Sequence, residues 1–95
     1  AETFTMALMG RTPAITRIGE NTEGVFSDVL SRSLPNEWEF GLPNERFLTV
    51  DGRSFDGPGV SPDIEIPVFL PADLEAGVDP ALEKAIEILA GSQPL

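Results

Sequence analysis

Histidine and cysteine are both absent from this chain of 95 residues, and lysine occurs once, as Lys84. Without cysteine the chain can form no disulfide framework and carries no thiolate nucleophile. Without histidine it has no side chain that titrates near neutral pH in an ordinary environment, and it lacks the most common general base and zinc ligand. A catalytic site based on histidine or cysteine is therefore excluded within this chain.

Basic residues are also scarce, with six Lys and Arg against sixteen Asp and Glu, which gives a formal net charge of −10. An acidic surface repels phosphate backbones and no basic stripe offsets it, so we expect no nucleic-acid partner. No apolar run approaches the roughly 20 residues of a membrane-spanning helix, so we expect no membrane span. The acidic residues are spread along the sequence, which is typical of a solvated surface.

What the sequence does contain is 41% hydrophobic residues together with nine Gly and nine Pro. This composition predicts a small globular unit with a thin core and many turns. The order of the hydrophobic patterns predicts an α+β fold. Its elements are a helix at residues 2–9, a short strand at 14–18, an antiparallel meander of three or four strands between 29 and 50, a last strand at 64–68 and a closing helix.

Local signals fix some of these boundaries. Asp51-Gly52 is a strong signal for a tight hairpin turn, because both central positions of such a turn favour a positive φ. Residues 71–77 are predicted to be a polar connector. Asp79-Pro80 then places a capping residue and a proline at the start of the last helix, which is predicted to end at Gly91.

Three features could carry chemistry, and each has a plainer interpretation. Asp51 and Asp56 flank a Gly-rich turn, but Arg53 occupies the position where a calcium loop of the EF-hand type needs its second ligand, so we predict no metal site. Lys84 lies beside acidic residues on the polar side of the last helix, where an exposed ion pair is expected, because a catalytic lysine has to be desolvated. Residues 19–24 form a Gly-flanked loop, but a phosphate cradle would also need a lysine and a following helix.

Four strings of the sequence occur in the order and at a spacing that one enzyme family also has. They are Ile18-Gly-Glu-Asn-Thr-Glu-Gly24, Leu34-Pro-Asn-Glu-Trp38, Asn44-Glu-Arg-Phe47 and Asp51-Gly-Arg-Ser-Phe-Asp-Gly-Pro-Gly-Val-Ser-Pro-Asp-Ile64. They resemble the G-E-x-T-x-G, L-P-N-G-W, N-E-R-Y and D-G-x-x-x-E-G-x-G-I-x-P-D-I motifs of the C-terminal-processing (tail-specific) and tricorn-like serine peptidases. The helix around Leu82-Glu-Lys-Ala85 is similar to the last helix of that family.

By this resemblance, residues 1–95 are the C-terminal portion of a catalytic domain with a ClpP/crotonase-like α/β core. The family's nucleophilic serine stands in an S-A-S/A-E run whose Glu matches Glu2, so the serine is expected two residues before Ala1. The family's oxyanion-hole glycine, and the histidine of tricorn-like members, lie further upstream. The resemblance thus implies a parent that hydrolyses peptide bonds through an acyl-enzyme, and a chain that is inactive alone.

The resemblance also implies site residues. Thr22, Gly24 and Val25 are expected to line the substrate cleft. Bacterial processing peptidases have their general-base lysine directly after the last Gly of the loop, where this chain has Val25, whose side chain accepts no proton. The parent would then resemble the tricorn-like branch, in which a downstream Glu completes the site, and the matching residue is Asp56, which is one methylene shorter. The competing interpretation of Asp56 is a turn residue that satisfies nearby amides.

The partners implied are a peptide or protein substrate and the rest of the parent catalytic domain, and no cofactor is expected. A second interpretation is a non-catalytic ligand- or protein-binding module of the same fold, with which Val25 is compatible. A third is a structural piece that forms a homodimer to cover its helices. The resemblance is compatible with a periplasmic or secreted parent and does not fix the compartment.

Overall fold

The computed structural model describes residues 1–92. Its elements in chain order are α1 (Glu2–Ala7), β1 (Ile18–Gly19), β2 (Val29–Ser33), β3 (Glu39–Pro43), β4 (Ile64–Glu65), α2 (Pro71–Ala76) and α3 (Pro80–Ser92). They fall into two compact units. The first unit comprises residues 1–10 and 22–60, and the second comprises residues 11–21 with the described residues from 61 onward. The predicted α+β class is confirmed.

The first unit contains one β-hairpin. β2 and β3 pair in antiparallel register, from Val29 opposite Pro43 to Ser33 opposite Glu39. The prediction of a meander with three or four strands is wrong, because residues 44–49 form no strand.

Ser27 explains why the chain leaves the sheet after β3. The backbone N–H groups of Asn44 and Glu45 both donate to the Ser27 hydroxyl oxygen, at 3.1 and 3.0 Å. The Asn44 N–H is shared with the Asp28 carbonyl at 3.3 Å, so cross-strand bonding continues for one bond past β3, whereas the Glu45 N–H is bonded to the side chain and cannot extend the ladder. The predicted turn at Asp51-Gly52 does form, but it closes a loop and not a strand pair.

The second unit contains a parallel pair of very short strands. Ile18 of β1 lies opposite Ile64 of β4, and α3 contacts β1. The strand predicted at 14–18 shares only Ile18 with β1, and the strand predicted at 64–68 is shorter, with β4 at Ile64–Glu65. β4 ends at Glu65, although the Ile66 N–H still donates to the Gly19 carbonyl at 2.8 Å. The pair is reinforced at its start by Arg17 and Asp63, since the Asp63 carboxylate accepts the Arg17 backbone N–H at 2.7 Å and pairs with its guanidinium at 3.3 Å.

Two of the three helices in the described residues were predicted from the sequence. The cap of α3 is confirmed, because the Asp79 carboxylate accepts the Leu82 N–H at 3.0 Å, although α3 extends one residue past Gly91 to Ser92. α1 stops two residues earlier than predicted, at Ala7. The predicted polar connector at 71–77 is wrong, because it contains α2, which has Pro71 at its start and a left-handed glycine at its C-terminal cap.

The core of the described residues is thin, as the composition predicts. Phe26 and Val60 are buried, at 4% and 2% exposure. Many other large apolar side chains are exposed, among them Phe4, Val29, Trp38, Leu42, Phe69, Leu82 and Leu89. No helix among residues 1–92 combines the length and the apolar character that crossing a membrane requires.

Candidate active site

Two hydrogen bonds join Thr22 and Val60 in the first unit. The Thr22 N–H donates to the Val60 carbonyl at 3.0 Å, and the Val60 N–H donates to the Thr22 hydroxyl oxygen at 2.7 Å. Val60 belongs to the buried core. These two bonds therefore attach the start of the loop formed by residues 22–25 to the core. We call this loop the anchored loop.

Gly24 makes the closest approach within the anchored loop. It is buried and has a φ of +87°, and its carbonyl accepts the Gly57 N–H at 2.8 Å. A Cβ at this position would overlap the Gly57 carbonyl oxygen and lie 2.9 Å from the Gly59 nitrogen. Both the backbone angle and the space therefore require glycine here.

Glu2, at the start of α1, binds the other side of the anchored loop. Its Oε1 accepts the N–H of Gly24 at 2.7 Å and that of Val25 at 3.4 Å, and the Thr22 side chain also hydrogen-bonds to the carboxylate. Burial raises the pKa of Glu2, but these hydrogen bonds outweigh it and hold the pKa below its usual value. Oε2 is shielded from solvent and accepts no hydrogen bond from the described residues.

The side chain of Val25 lines a cavity of about 280 Å³ in the first unit. It is 61% exposed, whereas its backbone N–H is bonded to Glu2. The remaining lining residues are Ala1, Glu2, Thr3, Phe26, Ser27, Asp28 and Phe47. The cavity thus lies between the first residues of the chain and the end of the anchored loop.

Asp56 is an exposed residue in a tight turn of the same unit. The turn is closed by the Gly59 N–H, which donates to the Phe55 carbonyl at 2.8 Å. The Asp56 N–H donates to the Ser54 hydroxyl oxygen at 3.3 Å. Because the next residue, Gly57, bonds to Gly24, the turn adjoins the anchored loop. Asp56 is therefore next in sequence to the residue that bonds to Gly24, but it is not among the residues that line the cavity beside Val25.

The other candidates of the sequence are engaged in local contacts. Lys84 forms an exposed ion pair with Glu87 at 3.0 Å. The Asp51 carboxylate accepts the Thr49 hydroxyl and pairs with Arg53 at 2.9 Å. The Thr49 hydrogen bond is the main cause that lowers the pKa of Asp51, and it outweighs the opposing effect of desolvation. Within the described residues no three His, Cys, Asp or Glu side chains converge as a metal site would need.

Glu2 is the site residue whose contacts the sequence did not predict. Its match to the S-A-S/A-E run served only to locate the expected serine. The one signal that could have identified it is the presence of an acid, at the start of a helix, among otherwise apolar or small residues. Nothing local indicates that its acceptor groups meet amides more than twenty positions away.

The sequence was also compared with models of protein families. The family model described as Peptidase family S41 matches residues 1–66, which include α1, the anchored loop, the hairpin and all four motif strings. A comparison with curated proteins gave no match. The small α+β structure fits a fragment of a peptidase domain of this kind. Since the match covers more than half of the sequence, the chain belongs to peptidase family S41, a family of serine peptidases.

Proposed function

We propose that this chain is the C-terminal portion of the catalytic domain of a tail-specific or tricorn-like serine peptidase with a ClpP/crotonase-like core. Its parent would hydrolyse peptide bonds through an acyl-enzyme on a serine two residues before Ala1. The observation that carries the proposal is the joining of α1 to the anchored loop through Glu2, beside a cavity that Ala1 and Val25 line. Two residues of chain span at most about 7 Å, so a serine at that place lies close to this cavity.

The anchored loop contributes shape to such a site, and not hydrogen-bond donors. The N–H groups of Gly24 and Val25 both point to Glu2, so neither is available to stabilise an oxyanion. The oxyanion donors and the general base would therefore come from the upstream part of the domain. The exposed Val25 side chain offers an apolar contact for a peptide side chain in the cavity.

The nucleophile can be located by labelling the full-length parent with a fluorophosphonate probe and mapping the modified residue by mass spectrometry. We expect modification of the serine two residues before Ala1, and no modification of the 95-residue chain run alongside as a control. Replacing that serine by alanine should abolish both labelling and peptide hydrolysis, because no other nucleophile remains. Hydrolysis that survives this replacement would refute the proposal.

Asp56 is proposed as the acid that completes the site, since its turn adjoins the anchored loop through the bond from Gly57 to Gly24. Asp56→Asn removes the charge and keeps a side chain that suits a turn. We expect it to lower kcat by about 10²- to 10⁴-fold with little change in melting temperature. The matched control is Glu39→Gln in β3, which removes an exposed charge of the hairpin. Unchanged kcat in Asp56→Asn would assign Asp56 to the turn alone.

A non-catalytic binding module of the same fold is the second candidate. Val25 favours it, because an exposed apolar side chain stands where processing peptidases have their lysine base. In that case the folded parent would bind peptides in the cavity without reacting with the fluorophosphonate probe. A labelled serine in the parent would exclude this candidate.

A further inference from the structure

Glu2 connects two segments of the first unit that are far apart in the sequence. It belongs to the first turn of α1, and its carboxylate reaches the anchored loop 22 positions further on, with Oε1 2.7 Å from the Gly24 nitrogen. Hydrogen bonds from an amide to a charged carboxylate are shorter and stronger than those between neutral groups. The contact is therefore a firm link between helix and loop.

The link acts on a loop that is held on three sides. Gly24 is buried, and its carbonyl already accepts a hydrogen bond from Gly57. Thr22 is joined to Val60 by two hydrogen bonds. Removal of the Glu2 carboxylate would leave the buried Gly24 N–H without its acceptor, which is costly in a folded protein. The loop would then have to shift toward water or toward another acceptor.

We infer that Glu2 is a positioning residue, which holds the anchored loop at a fixed distance from the segment that carries the nucleophile. This inference rests on the proposed function, because the serine would be only three positions before Glu2. α1 would carry the nucleophile at its start, and the anchored loop would form the wall of the cleft that Val25 lines. A displacement of about 1 Å between such groups can lower a rate by 10²-fold.

Three substitutions of Glu2 in the full-length protein distinguish the effect of side-chain length from the effect of the negative charge. Glu2→Gln keeps a carbonyl oxygen at the same reach, so it can still accept the two amides. Glu2→Asp keeps the charge but is one methylene shorter, and Glu2→Ala removes the acceptor. The matched control is Glu39→Ala, which removes an exposed carboxylate from β3, away from the anchored loop.

We expect Glu2→Ala and Glu2→Asp to lower kcat/KM for a peptide substrate by about 10- to 100-fold, mainly through kcat, because the nucleophile and the cleft lose their alignment. Glu2→Gln should stay within about threefold of the parent, since its oxygen accepts the same amides. The labelling rate with the fluorophosphonate probe should follow the same order. Glu39→Ala should behave like the parent protein.

Hydrogen exchange gives a readout that does not depend on catalysis. The amides of Gly24 and Val25 should lose protection in Glu2→Ala and Glu2→Asp and keep it in Glu2→Gln. If the parent itself is neither active nor labelled, the proposed function fails, and the exchange rates still decide whether Glu2 holds the loop. If Glu2→Ala does not fold, the comparison of Gln with Asp decides the same question. Full protection of these amides or parent-like activity in Glu2→Asp would overturn the inference. A loss of protection and activity in Glu2→Gln as large as that in Glu2→Asp would also overturn it.

Discussion

Replacing Gly24 by alanine is expected to destabilise the full-length protein by about 2 to 5 kcal/mol, because strain and overpacking act together. The φ of +87° is unfavourable for any residue with a Cβ. The added methyl would also overlap the Gly57 carbonyl oxygen and approach the Gly59 nitrogen to 2.9 Å. Both obstacles are backbone atoms, so no side-chain rotation can relieve them. Denaturant unfolding of the purified variant measures the loss.

The matched control for this substitution is Gly52→Ala. Gly52 has nearly the same backbone angle, with a φ of +82°, but no atom lies within 4 Å of the position that its Cβ would take. Its replacement therefore adds the backbone strain without the collision, and about 1 to 2 kcal/mol is expected. Equal losses in the two variants would show that the approach of Gly57 to Gly24 is not as close as described.

The local signals of the sequence predicted the elements that depend on neighbouring residues. Asp79-Pro80 identified the start of α3 because a side-chain cap and a proline act within one helical turn. α2 was missed although Pro71 and Gly77 carry the same kind of signal. Its acidic sequence, with few apolar residues, does not display a helical stripe.

The strands show where the alternation of apolar and polar residues does not predict strand formation. Residues 44–50 alternate well enough to predict strands, but their first amides are bound by Ser27, at a separation of seventeen residues or more. The Ser27 hydroxyl can accept hydrogen bonds from these amides only when the tertiary structure brings it close. No local sequence pattern contains that information. The same limit applies to β4, whose partner β1 lies more than forty positions away.

The candidate site was predictable in its members but not in its connections. Motif resemblance singled out Thr22, Gly24, Val25 and Asp56, and the structure collects them in one unit. The motif resemblance gave no reason for the fixed conformation of the anchored loop. That reason lies in the bonds from Glu2 and Val60, both of which join residues more than twenty positions apart.

Phe26→Ala is expected to cost the full-length protein about 3 to 5 kcal/mol, the usual range for truncation of a buried phenylalanine. Phe26 directly follows the anchored loop and, with Val60, makes up the buried hydrophobic residues of the described chain. A loss of this size is a large fraction of the 5 to 15 kcal/mol that typically stabilises a domain. The unfolding free energy from denaturant titration provides the measurement.

Phe4→Ala tests whether this cost comes from the core. The chemical change is the same, but Phe4 is 69% exposed in α1, so it should cost less than about 1 kcal/mol, as surface substitutions do. Loss of Phe26 should also widen the cavity that it lines with Val25, and peptide hydrolysis should fall under conditions in which the variant is still folded. A small loss for Phe26→Ala would contradict a core at this position. An equally large loss for Phe4→Ala would show that the cost does not come from burial in this core.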